Sequence, residues 1–275
     1  MGDDSSRPAM RGFDYDILKH TSHRPWPMPS GPWVMTQTWN DLLFAHWPVN
    51  AAQLRPKIPS DFTLDLFDGT AWLGIVPFHM TNVAPRGVPA LPWVSEFPEV
   101  NVRTYVRVAD EPGIYFFSLD AASALAVHAA RTMLNLPYFT AEMSVMSENG
   151  LVRYASRRDG YRADAELHAT YEPVGPPVHA APGTLEYFLT ERYCLYNLTH
   201  HDEPYRLDIH HLPWPLRPAR AEFAVNTMAA VHGITLPDEP PMLHYVDRLD
   251  MVAWMPLSLV RRTDLALQPP MESEG

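Results

Sequence analysis

Over residues 99–108 (EVNVRTYVRV) apolar and polar positions alternate without a break. Val100, Val102, Thr104, Val106 and Val108 share one face, and Glu99, Asn101, Arg103, Tyr105 and Arg107 the other. A period of two is that of a β-strand. The second face sets a carboxylate, an amide, a guanidinium and a phenol about 7 Å apart in single file. Two readings stand. Turned toward a cavity, the row is a site for a small polar ligand; turned toward water, it is the wet side of an antiparallel sheet.

The same pattern predicts the rest of the chain. Residues 39–49 (WNDLLFAHWPV) read as a strand, after which Asn50 caps a short helix over 51–55 that Pro56 ends. Phe67-Asp68-Gly69 is a turn, and residues 70–78 (TAWLGIVPF) form a buried strand with Pro77 close to its end, as an edge or bulge requires. Residues 85–98, with four prolines and a glycine, form a long loop of the kind that covers sites. Asp110 to Gly113 turns the chain into a strand over 114–119. Asp120 or Ser123 then caps a helix over 124–134, with Leu125, Ala129 and Met133 toward the core. Asn149-Gly150 joins strands 138–146 and 151–156 into a hairpin, and residues 163–171 extend that sheet. Thr184 caps a short helix (TLEYFLTERY) with Leu185, Phe188 and Leu189 inward. Strands over 193–198, 205–209, 217–225 and 243–251 complete the set.

About ten short strands with two or three small helices, and no regular βαβ alternation, predict a mostly antiparallel α+β or barrel-like fold. Large antiparallel barrels enclose cavities, which favours the inward reading of the row. Residues 1–30 are a proline-rich arm whose Trp26 and Trp33 dock on the remainder; 31–262 form a single domain, and 263–275 a flexible acidic tail.

Composition narrows the function. Hydrophobic residues at 46% and charged ones at 19% describe a core-forming chain. The longest apolar runs fall short of the roughly 20 residues a bilayer span needs, and no secretory signal pattern opens the chain, so a cytoplasmic protein without a membrane partner is expected. A net charge of −11 argues against nucleic acid as a partner. Lys19 and Lys57 are the only lysines, so positive charge is carried by arginine, which can hold an anion but cannot form an imine. Cys194 is the single cysteine; it rules out an internal disulfide and reads as a small buried hydrophobe.

The candidate chemistry centres on the row. Glu99 and Arg103 lie two steps apart on one face, coupled through a ligand or water, with Glu99 as acid or base and Arg103 as a clamp for a carboxylate; an external salt-bridged ladder is the competing reading. Arg131 on an Ala-rich helix is either a pocket residue or a capping cation. Arg192 presents the same choice. His46 is a general base or a core histidine satisfied by backbone. His200-His201-Asp202 and His210-His211 invite a metal reading, but adjacent histidines on a strand point to opposite faces, so each pair supplies at most one ligand to a common site. No metal or other cofactor is expected. No GxSxG elbow or HExxH motif is present.

Several stretches together resemble the YqjF-like family of uncharacterised bacterial proteins, a domain of unknown function grouped with the acetoacetate decarboxylase-like superfamily. They are FAHW (44–47), LR (54–55), FDGTAWLGIVPF (67–78), EVNVRTYV (99–106), YFFSLD (115–120), AR (130–131), LPY (136–138) and TERY (190–193). The resemblance covers residues 39–254. It implies a cone-shaped, mostly antiparallel β barrel with a central cavity, commonly assembled into oligomers, with Glu99 to Tyr105 facing inward and Arg131 near the same cavity. The superfamily's decarboxylases use a lysine shortly after an arginine on the helix; between Arg131 and Tyr138 this chain has Met133, Leu134, Asn135 and Leu136, and no amine. Imine-forming decarboxylation is therefore not expected.

The sequence thus predicts a small-molecule site with Glu99, Arg103 and Arg131 as catalytic residues and Asn101, Tyr105, His46, Tyr138 and Arg192 as substrate-binding ones. The expected activity is cofactor-independent acid–base chemistry of lyase, isomerase or cyclase type on a small oxygenated or carboxylated metabolite. Two alternatives remain: a non-catalytic metabolite-binding or sensing protein, and a metal-dependent hydrolase using His200, His201, His210 and His211.

Overall fold

A computed structural model describes residues 12–90, 95–158 and 165–260. In chain order, β1 (Met35–Val49) leads into α1 (Ala51–Leu54), whose first turn is capped by the Asn50 side chain on the Ala52 amide, and a 3-10 turn at Arg55–Lys57. β2 (Thr63–Leu64), β3 (Ala71–Pro85), β4 (Phe97–Val108) and β5 (Glu111–Ala121) follow, then α2 (Ala124–Leu134). β6 (Tyr138–Glu148), β7 (Leu151–Arg158) and β8 (Glu166–Pro173) precede α3 (Leu185–Thr190). β9 (Cys194–Leu198), β10 (Pro204–His211), β11 (Arg217–Asn226), β12 (Met242–Ala253) and β13 (Leu257–Ser258) end the described chain.

The strands form one sheet, antiparallel except where β5 meets β6 and β9. Pairings in the order β5-β6-β7-β8-β11-β12-β1-β3-β4 and back to β5 close a ring of hydrogen bonds through nine strands. β10 and β9 bridge β12 to β5 on their own, so β12, β1, β3, β4 and β5 also belong to a second circuit. The mostly antiparallel fold with few helices expected from the sequence is what forms.

β4 matches the alternation of residues 99–108 and starts two residues earlier. β3 is longer than the pattern predicts and carries Pro77 at its middle, not close to its end. Asn40 pairs with His79 and Ala45 with Ile75, so β1 inserts one residue more than β3 there, with Asp41 at φ 48°. Pro77 falls in this bulged interval, where the ladder to β1 is already interrupted. The turn before β5 is Ala109-Asp110, with Ala109 at φ 52°, so Glu111 to Gly113 belong to the strand. The Asn149-Gly150 hairpin forms with both residues at positive φ.

α2 begins at Ser123, as one of the two caps predicts, but its inward face is not the expected one: Leu125 is 64% and Met133 73% exposed, and Val127 is the buried residue. This helix is held by its ends. Ser123 caps the Ala126 amide, and Asn135, in the left-handed conformation, donates its side-chain amide to the Leu198 and Thr199 carbonyls.

Both faces of β4 are buried. Val100, Val102 and Val106 pack with Leu43 and Ala45 of β1, Leu73 and Ile75 of β3, and Leu167 and Tyr171 of β8; each such valine contributes about 1.5–3 kcal/mol relative to exposure. Phe44, Val76 and Phe78, on the opposite side of the same strands, gather with Trp214, Leu216, Val246 and Leu249. β1, β3 and β4 therefore separate two packed compartments. The N-terminal segment lies across the end of β12: Ile17, in a 3-10 turn (Tyr15–Lys19), packs with Val252 and Trp254, and Trp33 joins them. Trp26 meets the Tyr193 ring edge-on at 6.5 Å. Residues 1–11, part of the arm, lie outside the described residues, as do 91–94 of the 85–98 loop, the first residues of the 163–171 strand and the whole acidic tail.

Candidate functional site

From Glu99 to Tyr105 the polar face of β4 does not meet water; Arg107, at its end, is part-exposed. Glu99, Asn101, Arg103 and Tyr105 are 2%, 5%, 6% and 0% exposed and look toward the second compartment. Burial pushes the Glu99 carboxyl up to about 8, with Asp120 adding repulsion; hydrogen bonds from Tyr138 and Asn101 oppose the rise. Tyr138 Oη, brought alongside by the parallel pairing of β6 with β5, donates to Glu99 Oε2 at 2.9 Å. Glu99 is thus a shielded carboxyl that is mostly protonated at neutral pH. It forms no ion pair with Arg103.

Arg103 has no carboxylate within ion-pair distance among the described residues. Its Nη2 donates to the Leu189 carbonyl at 3.2 Å, and its guanidinium lies over the Phe44 ring at 5.0 Å. Tyr105 Oη also donates to the Leu189 carbonyl, at 2.8 Å, and lies 2.7 Å from His46 Nε2. A carbonyl can only accept, so the phenol proton belongs to that bond and His46 Nε2 carries the hydrogen facing Tyr105. The His46 Nδ1 lone pair is left without a partner. Burial, reinforced by Arg103 and His244, holds His46 well below the usual histidine range, so it is neutral.

His46, Gly74 and Arg103 occupy one register row across β1, β3 and β4. A Cβ on Gly74 would stand 3.0 Å from His46 Cδ2 and 3.3 Å from Arg103 Cγ. The glycine is what lets the imidazole reach over β3 to Tyr105. Around the Phe44 ring lie Arg103, His46 (stacked at 5.6 Å) and Trp214 (edge-on at 4.8 Å). Four buried polar atoms of these residues and Asn101 lack partners: the donors Arg103 Nε and Trp214 Nε1, and the acceptors His46 Nδ1 and Asn101 Oδ1. A buried polar group left unpaired costs about 1–3 kcal/mol, so four together are a feature that needs a reason.

Arg192 lies beside the row. It donates to Asp65 at 2.8 Å and to the Phe188 carbonyl at 2.7 Å, and its guanidinium covers the Tyr105 ring at 5.1 Å. It is buried and already paired, so its part is to fix Tyr105 and α3. Arg131 is exposed on α2, away from the row; the short side chains around it mark an outer helix face, not a path to a cavity.

The histidines do not converge. His200 Nε2 meets the Arg131 carbonyl at 3.0 Å at a surface turn, whereas His210 and His211 are buried on β10, with ring nitrogens on the Ile17 and Leu212 carbonyls at 2.9 and 2.7 Å. Among the described residues no three His, Cys, Asp or Glu side chains are grouped to hold a metal ion. Cys194 is buried in the first compartment and its thiol is pushed up to about 12 by burial.

A hollow of about 330 Å³ adjoins the second compartment, lined by Thr184, Glu186, Leu216 and His244 among others. α3 connects the two: Thr184 and Glu186 at its start face the hollow, and the Leu189 carbonyl near its end holds Arg103 and Tyr105. His244, opposite Phe44 in the β1–β12 ladder, has a buried Nδ1 with no partner. The sequence carries no sign of Asp65, Trp214 and His244, and of Leu189 it predicts the inward side chain but not the carbonyl that holds Arg103 and Tyr105. A backbone carbonyl leaves no mark in a sequence, but Gly74 inside an otherwise apolar strand was a readable sign of close approach.

The family model described as "Uncharacterized conserved protein" (DUF2071) matches residues 36–250. The chain belongs to this family. Over 227 residues, 82% of this chain and 93% of the relative, it is 48% identical to the uncharacterized protein YqjF of Bacillus subtilis (strain 168). Among solved structures it is similar to acetoacetate decarboxylase from Legionella pneumophila, with a TM-score of 0.58 and 14% identity over 94% of this chain and 99% of that one. The enduracididine biosynthesis enzyme MppR complexed with pyruvate gives a TM-score of 0.57 at 9% identity, covering 85% of this chain and 92% of that one. At such identities the likeness is one of fold, the acetoacetate decarboxylase-like fold. Among the described residues no helix is long and apolar enough to cross a membrane.

Proposed function

We propose that the chain binds a small carboxylated or oxygenated metabolite against the Glu99–Tyr105 row and carries out cofactor-independent acid–base chemistry on it, of lyase, isomerase or cyclase type. The observation that carries this reading is the set of unpartnered buried atoms around Phe44, beside a guanidinium that has no counter-ion among the described residues. Arg103 Nε and Trp214 Nε1 are donors suited to an anionic oxygen; His46 Nδ1 and Asn101 Oδ1 are acceptors suited to a hydroxyl. Glu99, raised to about 8, is poised near neutral pH to give or take a proton. The hollow beside α3 is the proposed way in. The shared fold is compatible with a small keto acid, since MppR was solved with pyruvate, though the residues that would hold such a ligand here are this chain's own. In this reading the nine-strand ring is a ligand-binding barrel, and the protein is cytoplasmic and oligomeric, as the sequence suggests.

The test is proton exchange. The full chain is incubated in deuterated water with a panel of small keto and hydroxy carboxylates, and exchange at carbon is followed by NMR. Exchange that is lost in Glu99→Gln, with binding lost in Arg103→Met, supports the enzyme. Binding that depends on Arg103 without any exchange leaves a binding protein; neither binding nor exchange overturns both.

A further inference from the structure

A separate cleft of about 300 Å³ lies on the other side of the β4–β5 pair, lined by Lys57, Tyr115, Phe117, Asn135, Asn197 and His232 among others. Tyr115 and Phe117 pack against the first compartment, whereas the Glu99 row faces the second; Phe116, which also lines the cleft, is the register partner of Arg103. From these residues we infer a second binding site, for a small hydroxylated anion such as a hydroxycarboxylate or a phosphorylated polyol.

Charge is the first argument. The chain carries a net charge of −11 and has two lysines, yet one of them lines this cleft. Among the described residues Lys57 has no carboxylate within ion-pair distance, whereas Arg158, whose charge also reaches His232, is already paired with Asp120. A Cβ on Gly233 would stand 3.4 Å from Lys57 Nζ, which places the ammonium beside the residue that follows His232. An anion is what such a cleft lacks.

The polar lining sets the rest of the ligand. Asn135 spends its amide hydrogens on the Leu198 and Thr199 carbonyls, at 3.0 and 3.1 Å, and Asn197 donates to the Asn135 carbonyl at 2.8 Å. Their side-chain oxygens remain as acceptors, which suit hydroxyl groups. His232 engages Ser118 Oγ through Nε2 at 3.0 Å, leaving Nδ1 without a partner among the described residues. Burial, with the charges of Arg158 and Lys57, lowers His232 to about 4, so it stays neutral and takes part as a hydrogen-bonding group. Tyr115 and Phe117, edge to face at 5.6 Å, offer an apolar surface to a short carbon chain.

Two lysines make the experiment simple. Lysine-selective isotope labelling of the full chain gives two side-chain NMR signals, assigned with Lys57→Met and Lys19→Met. L-malate and glycerol 3-phosphate are titrated, beside succinate and inorganic phosphate, which lack the carbon-borne hydroxyl. The expected result is a saturable shift of Lys57 alone with at least one hydroxylated probe, weakened roughly tenfold or more in Lys57→Met by a separate calorimetric titration and unchanged in Lys19→Met. No saturable shift, equal shifts of both lysines, or affinity unchanged in Lys57→Met overturns the site. Succinate and phosphate binding as tightly as the hydroxylated probes overturns the assigned ligand class. Glu99 variants retain this binding, which keeps the result independent of the proposed catalytic row.

Discussion

His46 reaches Tyr105 across an intervening strand, Nε2 to Oη at 2.7 Å, because Gly74 between them has no side chain. The bond fixes the histidine tautomer and turns its bare nitrogen toward the orphaned donors around Phe44.

Filling that gap has a measurable price. Gly74→Val displaces His46 and Arg103, both packed within about van der Waals range of the new atoms, and is expected to destabilise the chain by about 1–3 kcal/mol. Urea unfolding followed by tryptophan fluorescence reads the change; a loss below about 0.5 kcal/mol would mean that the imidazole is not held where it is described.

Glu99 ties stability to pH. Its folded carboxyl is raised to about 8 from an ordinary 4.5, so between those values the native state holds a proton that the unfolded chain has released. Stability from this group is therefore greatest below about pH 4.5 and falls as pH rises through 8, by a few kcal/mol in all. Glu99→Gln, neutral in both states, removes that slope. Parallel melting curves of the two proteins at pH 5 and pH 8.5 test this: the gain of the variant over the parent at the higher pH is the expected outcome, and equal melting shifts contradict it.

Arg192 and Asp65 are buried together, with Arg107 as a second, part-exposed partner of the carboxylate. Arg192→Met leaves Asp65 buried with half its pairing and is expected to cost about 3–5 kcal/mol. The double variant with Asp65→Asn loses less than the sum of the single changes, because the stranded charge is gone. Strict additivity in chemical denaturation would deny the coupling.

Arg131, on the outer face of α2, supports neither compartment. Arg131→Ala is expected to shift stability by no more than about 0.5 kcal/mol and to leave the proton-exchange assay unchanged. A defect in that assay would return it to the site.

The alternation over residues 99–108 made β4 and the identity of its polar row legible, because a strand's period appears directly in the sequence. What that pattern does not contain is how many other strands cover each face. Ring closure brings Tyr138 to Glu99, and α3 covers Arg103 and Tyr105; neither has a local signal. Arg131 misled for a related reason: small side chains beside an arginine look the same whether they pack or face solvent. Ser123, which caps the first turn of α2, is the better guide, since capping chemistry is local. Tyr138 stands in a motif of the family resemblance and Arg192 at the end of an apolar helix turn; their partners, Glu99 and Asp65, required the sheet.

Because β1, β3 and β4 are walls common to two interiors, neither can be remodelled alone. Thinning a valine at 100 or 102 on the oily side lets the ribbon settle, and the guanidinium and imidazole on its reverse travel with it. Tolerance to substitution should therefore be lowest along these three strands, even at positions that never touch a ligand, and highest on the outer face of α2, whose contact with either room is Val127 and its neighbour Ala126.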